Sequence, residues 1–216
     1  MCFSAGASFA GGAVISAIGV ATIAKNNDSS RRMFAGIPLI FGVQQISEGL
    51  VWVALQSPDH DLMLTIASYT FLFTAVIVWP VYLPLSVMLM EKVKVRRQII
   101  FFLVVTGLVT TIYYGIGMLF YDVSPQISSH HIKYVNNFPR PPANAVFIIY
   151  LMATLVPLFV SGVRKMWLMG LLMTVSCLIT GIFFREYLTS VWCFFAALIS
   201  AVILWIVSEE RQRLKA

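Results

Sequence analysis

Glu48 sits in Gln44-Gln45-Ile46-Ser47-Glu48-Gly49-Leu50-Val51-Trp52, inside a run from Met33 to Leu55 that otherwise reads as membrane-spanning. An ionised carboxylate in hydrocarbon is costly unless it is paired or made neutral, so such a residue marks a functional site by default. Gln44 lies one helical turn before it on the same face and Trp52 one turn after, giving a polar stripe with an aromatic end. Other reactive groups gather at the same level: Cys2, His130, His131, Cys193 and Arg185. Thiolate, imidazole and carboxylate together suit zinc, or copper if the thiolate dominates. On this reading Cys2, Glu48, His130 and His131 are the candidate metal ligands, and Glu48 is also the candidate general base. Gln44, Gln45, Trp52, Arg185 and Cys193 complete the candidate site. A zinc-bound water with its pKa lowered to about 7 could give its proton to Glu48 and attack a lipid or a small periplasmic molecule.

The elements that must position these residues follow from composition. Of 216 residues 59% are apolar and only 11% charged, and the mean hydropathy is +0.87. These values exclude an ordinary soluble domain and indicate an all-α integral membrane protein. The formal charge of +6 arises from short Lys/Arg clusters between apolar runs, which orient a membrane protein and do not form a nucleic-acid surface. Three cysteines are too few and too scattered for a disulfide framework or a zinc knuckle.

Seven spans are expected in a single domain covering 1–216: Ala5–Ala24, Met33–Leu55, Leu62–Met90, Gln98–Tyr121, Ala143–Val163, Met166–Phe184 and Leu188–Val207. The third is longer than the roughly 20 residues a span needs and contains Pro80 and Pro84, which predicts a kink near Trp79-Pro80. Between the fourth and fifth lies a long polar loop, 122–142. Twelve Lys/Arg fall in the first, third and fifth connections and the C-terminal tail, and three on the other side. The positive-inside rule then puts the N-terminus outside and the C-terminus in the cytoplasm. In this orientation all three histidines face outward. Glu48 is seven residues short of Leu55, about 10 Å beneath the outer surface at 1.5 Å per residue.

Other readings stay open. Glu48 as a neutral acid bonded to Gln44, Gln45 or another helix has a structural role only. As a proton or cation acceptor in a substrate path, it belongs to a coupled transporter with the long loop as its lid. Cys2 and Cys193 could instead form a disulfide on the oxidising side. Trp52, Tyr82, Tyr121, Trp167 and Tyr187 read as an interfacial aromatic belt.

The opening Met1-Cys2-Phe3-Ser4-Ala5, the stretch Gln44-Gln45-x-x-Glu48-Gly49-x-x-Trp52 and the run Trp192-Cys193-Phe194-Phe195-Ala196-Ala197 resemble an uncharacterised bacterial family of multi-helix membrane proteins. Its members begin with the same five residues. The resemblance spans the whole chain and implies that Cys2, Glu48 and Cys193 belong to one pattern, with no activity attached. Microbial rhodopsins share the expected orientation but require a lysine in the last helix, and no lysine lies within any expected span.

Overall fold

The computed structural model describes residues 4–56, 59–128, 131–136, 140–183 and 195–213. Seven helical stretches run through them: α1 (Ala5–Lys25), α2 (Arg32–Ala54), a continuous stretch made of α3 (Asp61–Leu72), a π-helical segment (Phe73–Val78) and α4 (Trp79–Met90), then α5 (Lys94–Phe120), α6 (Arg140–Val160), α7 (Met166–Phe183) and α8 (Ala196–Arg213). Five are long and apolar enough to cross a membrane: Ala5–Lys25, Ser29–Ala54, Asp61–Met90, Lys94–Phe120 and Met166–Phe183. Shorter apolar helices cover Ala145–Val160 and Ala196–Glu209.

The helix limits differ from the expected spans where charge was taken for a boundary. Lys94–Arg97 were assigned to a connection but form the first turn of α5, and α8 continues past Val207 to Arg213. Apolar composition marks what hydrocarbon tolerates, whereas Lys, Arg and Glu propagate a helix nearly as well as Leu.

Prolines shape the third stretch through the hydrogen bonds they cannot make. In the π segment the Trp79 N–H reaches the Thr74 carbonyl, five residues back. In the same register Pro80, which has no N–H, would face the Ala75 carbonyl. The Tyr150 hydroxyl donates to that carbonyl instead, at 2.8 Å, and the Thr111 hydroxyl donates to the Ile77 carbonyl at 2.9 Å. Farther on, Pro84 leaves the Pro80 carbonyl without its usual intrahelical donor. There α5 presents Gly107, whose missing Cβ would fall on that carbonyl oxygen. The expected break near Trp79-Pro80 therefore takes the form of a π-helical insertion secured by α5 and α6.

The long connection between α5 and α6 was read as a loop, but it holds an antiparallel hairpin, β1 (Val123–Ser128) and β2 (His131–Asn136). Ser128 pairs with His131, Ile127 with Ile132 and Pro125 with Tyr134. Its inward side chains seat it on the bundle: Ile132 is buried among Val51, Trp52 and Ala67, and Tyr134 stacks on Phe71 with ring centroids 5.0 Å apart. We refer to this as the hairpin end and to the other as the turn end.

Polarity runs opposite to that of a soluble bundle. Ile99, Phe102, Val109, Ile112, Ile116 and Leu119 of α5 are exposed, as are Leu171, Val175, Leu178 and Ile182 of α7. Gln44, Gln45, Glu48, Ser68, Thr110, Thr180 and Ser200 are buried. A main core of Phe34, Ile37, Leu83, Ile100, Leu158, Met169 and Ile203 joins α2, α4, α5, α6, α7 and α8.

Candidate functional site

The fourfold spacing in α2 places Gln44, Glu48 and Trp52 on one face, and this face is turned wholly inward. Glu48 and Gln45 have no solvent exposure. The Gln45 side-chain amide donates from Nε2 to Glu48 Oε2 at 2.9 Å, one turn apart on the same helix. Gln44 is held across the bundle, its Oε1 accepting from Trp79 Nε1 at 2.8 Å. Trp79 is the first residue after the π segment, and Phe41 of α2 lies 4.2 Å from its ring, centroid to centroid. The bond between Gln44 and Trp79 sets α4 against α2 at the depth of the polar stripe. An amide donor beside a buried carboxylate lowers the cost of its charge without cancelling it.

Trp52 was expected in an interfacial belt, and the structure corrects this. It is buried in the cluster with Val51, Ala67 and Ile132, against which Ala5, Leu64 and Tyr134 pack. The reason is the hairpin, which covers a helix end that the sequence reading left at the membrane surface. Trp167 does face outward, and the Tyr82 hydroxyl donates to the Met33 carbonyl at 2.9 Å. Tyr187 lies outside the described residues.

Of the four candidate metal ligands, the structure describes Glu48 and His131. His131 opens β2 and is buried, next to the Ile132 that packs on Trp52. The hairpin thus brings His131 and its strand onto the C-terminal part of the helix that carries Glu48. Cys2 and His130 lie outside the described residues, as do Arg185 and Cys193. Among the described residues no group of three or more His, Cys, Asp or Glu is placed to hold a metal ion. His60 is exposed just before α3, and Cys177 is a buried free thiol in α7.

Three contributors escaped the sequence reading: Trp79, Ser68 and Tyr134. Ser68 is buried on α3 beside Ala67, and its hydroxyl has no hydrogen-bond partner among the described residues. The indole Nε1 of Trp52 is likewise buried without an acceptor among the described residues. The alternation Ile132-Lys133-Tyr134-Val135 was the available signal for the strand that carries Tyr134. Nothing local distinguishes Trp79 or Ser68 from a lipid-facing residue.

Fold and site together define a helical bundle in which five helices are long and apolar enough to cross a membrane, with a buried carboxylate bonded to a side-chain amide and a β-hairpin packed on the same helix. The chain belongs to the family of unknown function DUF6629, whose model matches residues 1–216. No curated protein and no solved structure matches it.

Proposed function

We propose that the chain is an integral protein of a bacterial inner membrane, with seven spans, the N-terminus outside and the C-terminus in the cytoplasm. Its working site is the Gln44, Gln45, Glu48 and Trp52 stripe, in which Glu48 accepts a proton or small cation in the path of a coupled transporter. One observation carries this reading: a wholly buried carboxylate is held by a side-chain amide, within a bundle whose exposed surface is apolar. A carboxylate kept in such a place is costly, and gaining and losing charge is what it offers in return.

The test is infrared titration of the purified protein in lipid. Wild type should show a carboxyl band that responds to pH or to added cation, and Glu48→Gln should lack it. Identical spectra for the two proteins would overturn the proposal.

A second reading, the outward-facing zinc enzyme with copper as the alternative metal, is favoured by the packing of Ile132 on Trp52, which puts His131 near the Glu48 helix. Here Cys2 and His130 would complete the ligand set, and a lipid or small molecule would be the substrate. Elemental analysis decides it. Stoichiometric zinc in wild type that is lost in Cys2→Ser, His130→Ala and Glu48→Gln supports the enzyme; a metal-free wild-type protein removes it.

A further inference from the structure

Of the five helices of spanning length, α5 is the least buried. Its outer face is exposed and apolar from Ile99 through Phe102, Val105, Leu108, Ile112 and Leu119. Just before that face come Lys92, Lys94, Arg96 and Arg97, all exposed, with Val93 and Val95 exposed between them. The first turn of the helix holds no acidic residue. Residues three or four apart share a helix face, so Lys94 leads through Gln98 to Phe102, and Arg97 leads to Phe101. The cations therefore continue the apolar face. The charge of Arg96 acts on Glu91 and that of Lys92 on Asp28, whereas Lys94 and Arg97 have no ion pair among the described residues. The opposite end of the same helix is different: exposed Leu119, Phe120 and Tyr121 lead to exposed Asp122, and the last turn holds no basic residue.

From this arrangement we infer that the start of α5 is a binding surface for an anionic phospholipid, with its phosphate held by Lys94 and Arg97 and its acyl chains lying along Phe101, Phe102 and Val105. The inference rests on the chain being an integral membrane protein, as proposed above. With 27 residues α5 is about 40 Å long at 1.5 Å per residue, against about 30 Å of hydrocarbon. The apolar part from Ile99 to Phe120 takes up that thickness, which leaves Lys94 and Arg97 at the depth of the lipid phosphates. Ammonium and guanidinium groups only donate, and phosphate oxygens accept from both. A second copy of the chain is the other occupant an apolar face could take. Two copies inserted in the same direction and meeting α5 to α5 would bring their cation clusters together, and like charges there repel. A negative headgroup turns the same charges into attraction.

The test gives the purified full chain, in neutral detergent, equal amounts of phosphatidylglycerol and phosphatidylcholine with the same acyl chains. Native mass spectrometry then counts the lipids retained. Wild type should retain phosphatidylglycerol in preference, and Lys94→Gln combined with Arg97→Gln should lower that preference at least fivefold, since each cation near an anionic surface is worth roughly fivefold. Both side chains are exposed, so this variant should keep the wild-type thermal midpoint; Arg96 is left in place because its charge acts on Glu91. Lys25→Gln combined with Arg164→Gln removes the same charge from exposed positions elsewhere and should leave the preference within about twofold. An equal loss in the two double variants would trace the preference to net charge and overturn the surface. A lipid-free dimer would give the face to a second copy and overturn it too. If wild type retains both lipids without preference, the surface alone fails and the membrane reading stands. A wild-type chain that stays soluble without detergent and retains neither lipid removes both.

Discussion

A buried glutamate lies toward each end of the bundle, and the donors described for the two come from different parts of the chain. Glu91, in the turn between α4 and α5, is surrounded by donors from two connections. Its carboxylate accepts from the Gly162 N–H at 2.6 Å, the Val93 N–H at 2.9 Å and the Ser161 hydroxyl at 3.4 Å. The Arg96 guanidinium occupies the space a side chain on Gly162 would need. Burial pushes the Glu91 carboxyl up, but the Gly162 and Val93 amides, the Arg96 charge and the Ser161 hydroxyl outweigh it and hold it below the usual glutamate value. Nearby, Glu209 of α8 pairs with Lys165 and Arg164, and the Lys165 ammonium lies 3.4 Å from the centre of the Trp205 ring. Toward the hairpin end, Glu48 accepts from an amide of its own helix, and the Trp52 indole and Ser68 hydroxyl have no partner among the described residues. A carboxylate fed by two connections clasps them together; the amide described for Glu48 comes from its own helix and joins no second element.

That contrast can be broken by substitution. The largest effect is expected from Glu91→Ala, which strands the Gly162 and Val93 amides in a buried setting and should cost about 3 kcal/mol of stability. Thermal denaturation in detergent measures it, and a loss near zero would mean the clasp holds nothing.

Acid should act at the same place. Because the folded-state pKa of Glu91 lies below its unfolded value, its stabilisation is complete above the unfolded value and is lost as pH falls through the folded one. Denaturation midpoints taken from neutral to acid pH should fall for wild type and fall less for Glu91→Gln. An equal fall in both would assign the acid sensitivity elsewhere, Asp28 included, whose carboxyl is also held low, chiefly by the Ser30 backbone amide.

A smaller loss, about 1 kcal/mol, is expected for Trp205→Leu, which keeps an apolar side chain but removes the ring beneath Lys165. The smallest effect sharpens the comparison most. Ser68→Ala removes a hydroxyl that has no partner among the described residues, so stability should change by less than about 1 kcal/mol and be neutral or slightly raised. A loss for Ser68→Ala as large as that of Glu91→Ala would show that its hydroxyl is as structural as the clasp.

Much of the helical plan was legible because apolar runs of spanning length admit few alternatives. Glu48 stood out for the same reason, as a charge where charge is expensive. Its link to Gln45 was within reach too, since residues three apart share a face. Glu91 was not legible: it sits in a charged turn beside Lys92 and Lys94, and its partners Ser161 and Gly162 are about 70 residues away. The hairpin was hidden by Pro125 and by the polar character of 122–142, which suggested a loop.

By itself the sequence determined the helices, their apolar exteriors and the presence of one buried acid in α2, because these depend on local periodicity and on the cost of charge in hydrocarbon. Only the tertiary structure decided that Trp79 would hold Gln44, that Tyr150 would serve the carbonyl opposite Pro80, and that β2 would cover Trp52. Such contacts join groups distant in the chain, and a hydrogen-bond donor carries no local mark of the acceptor that packing will bring to it.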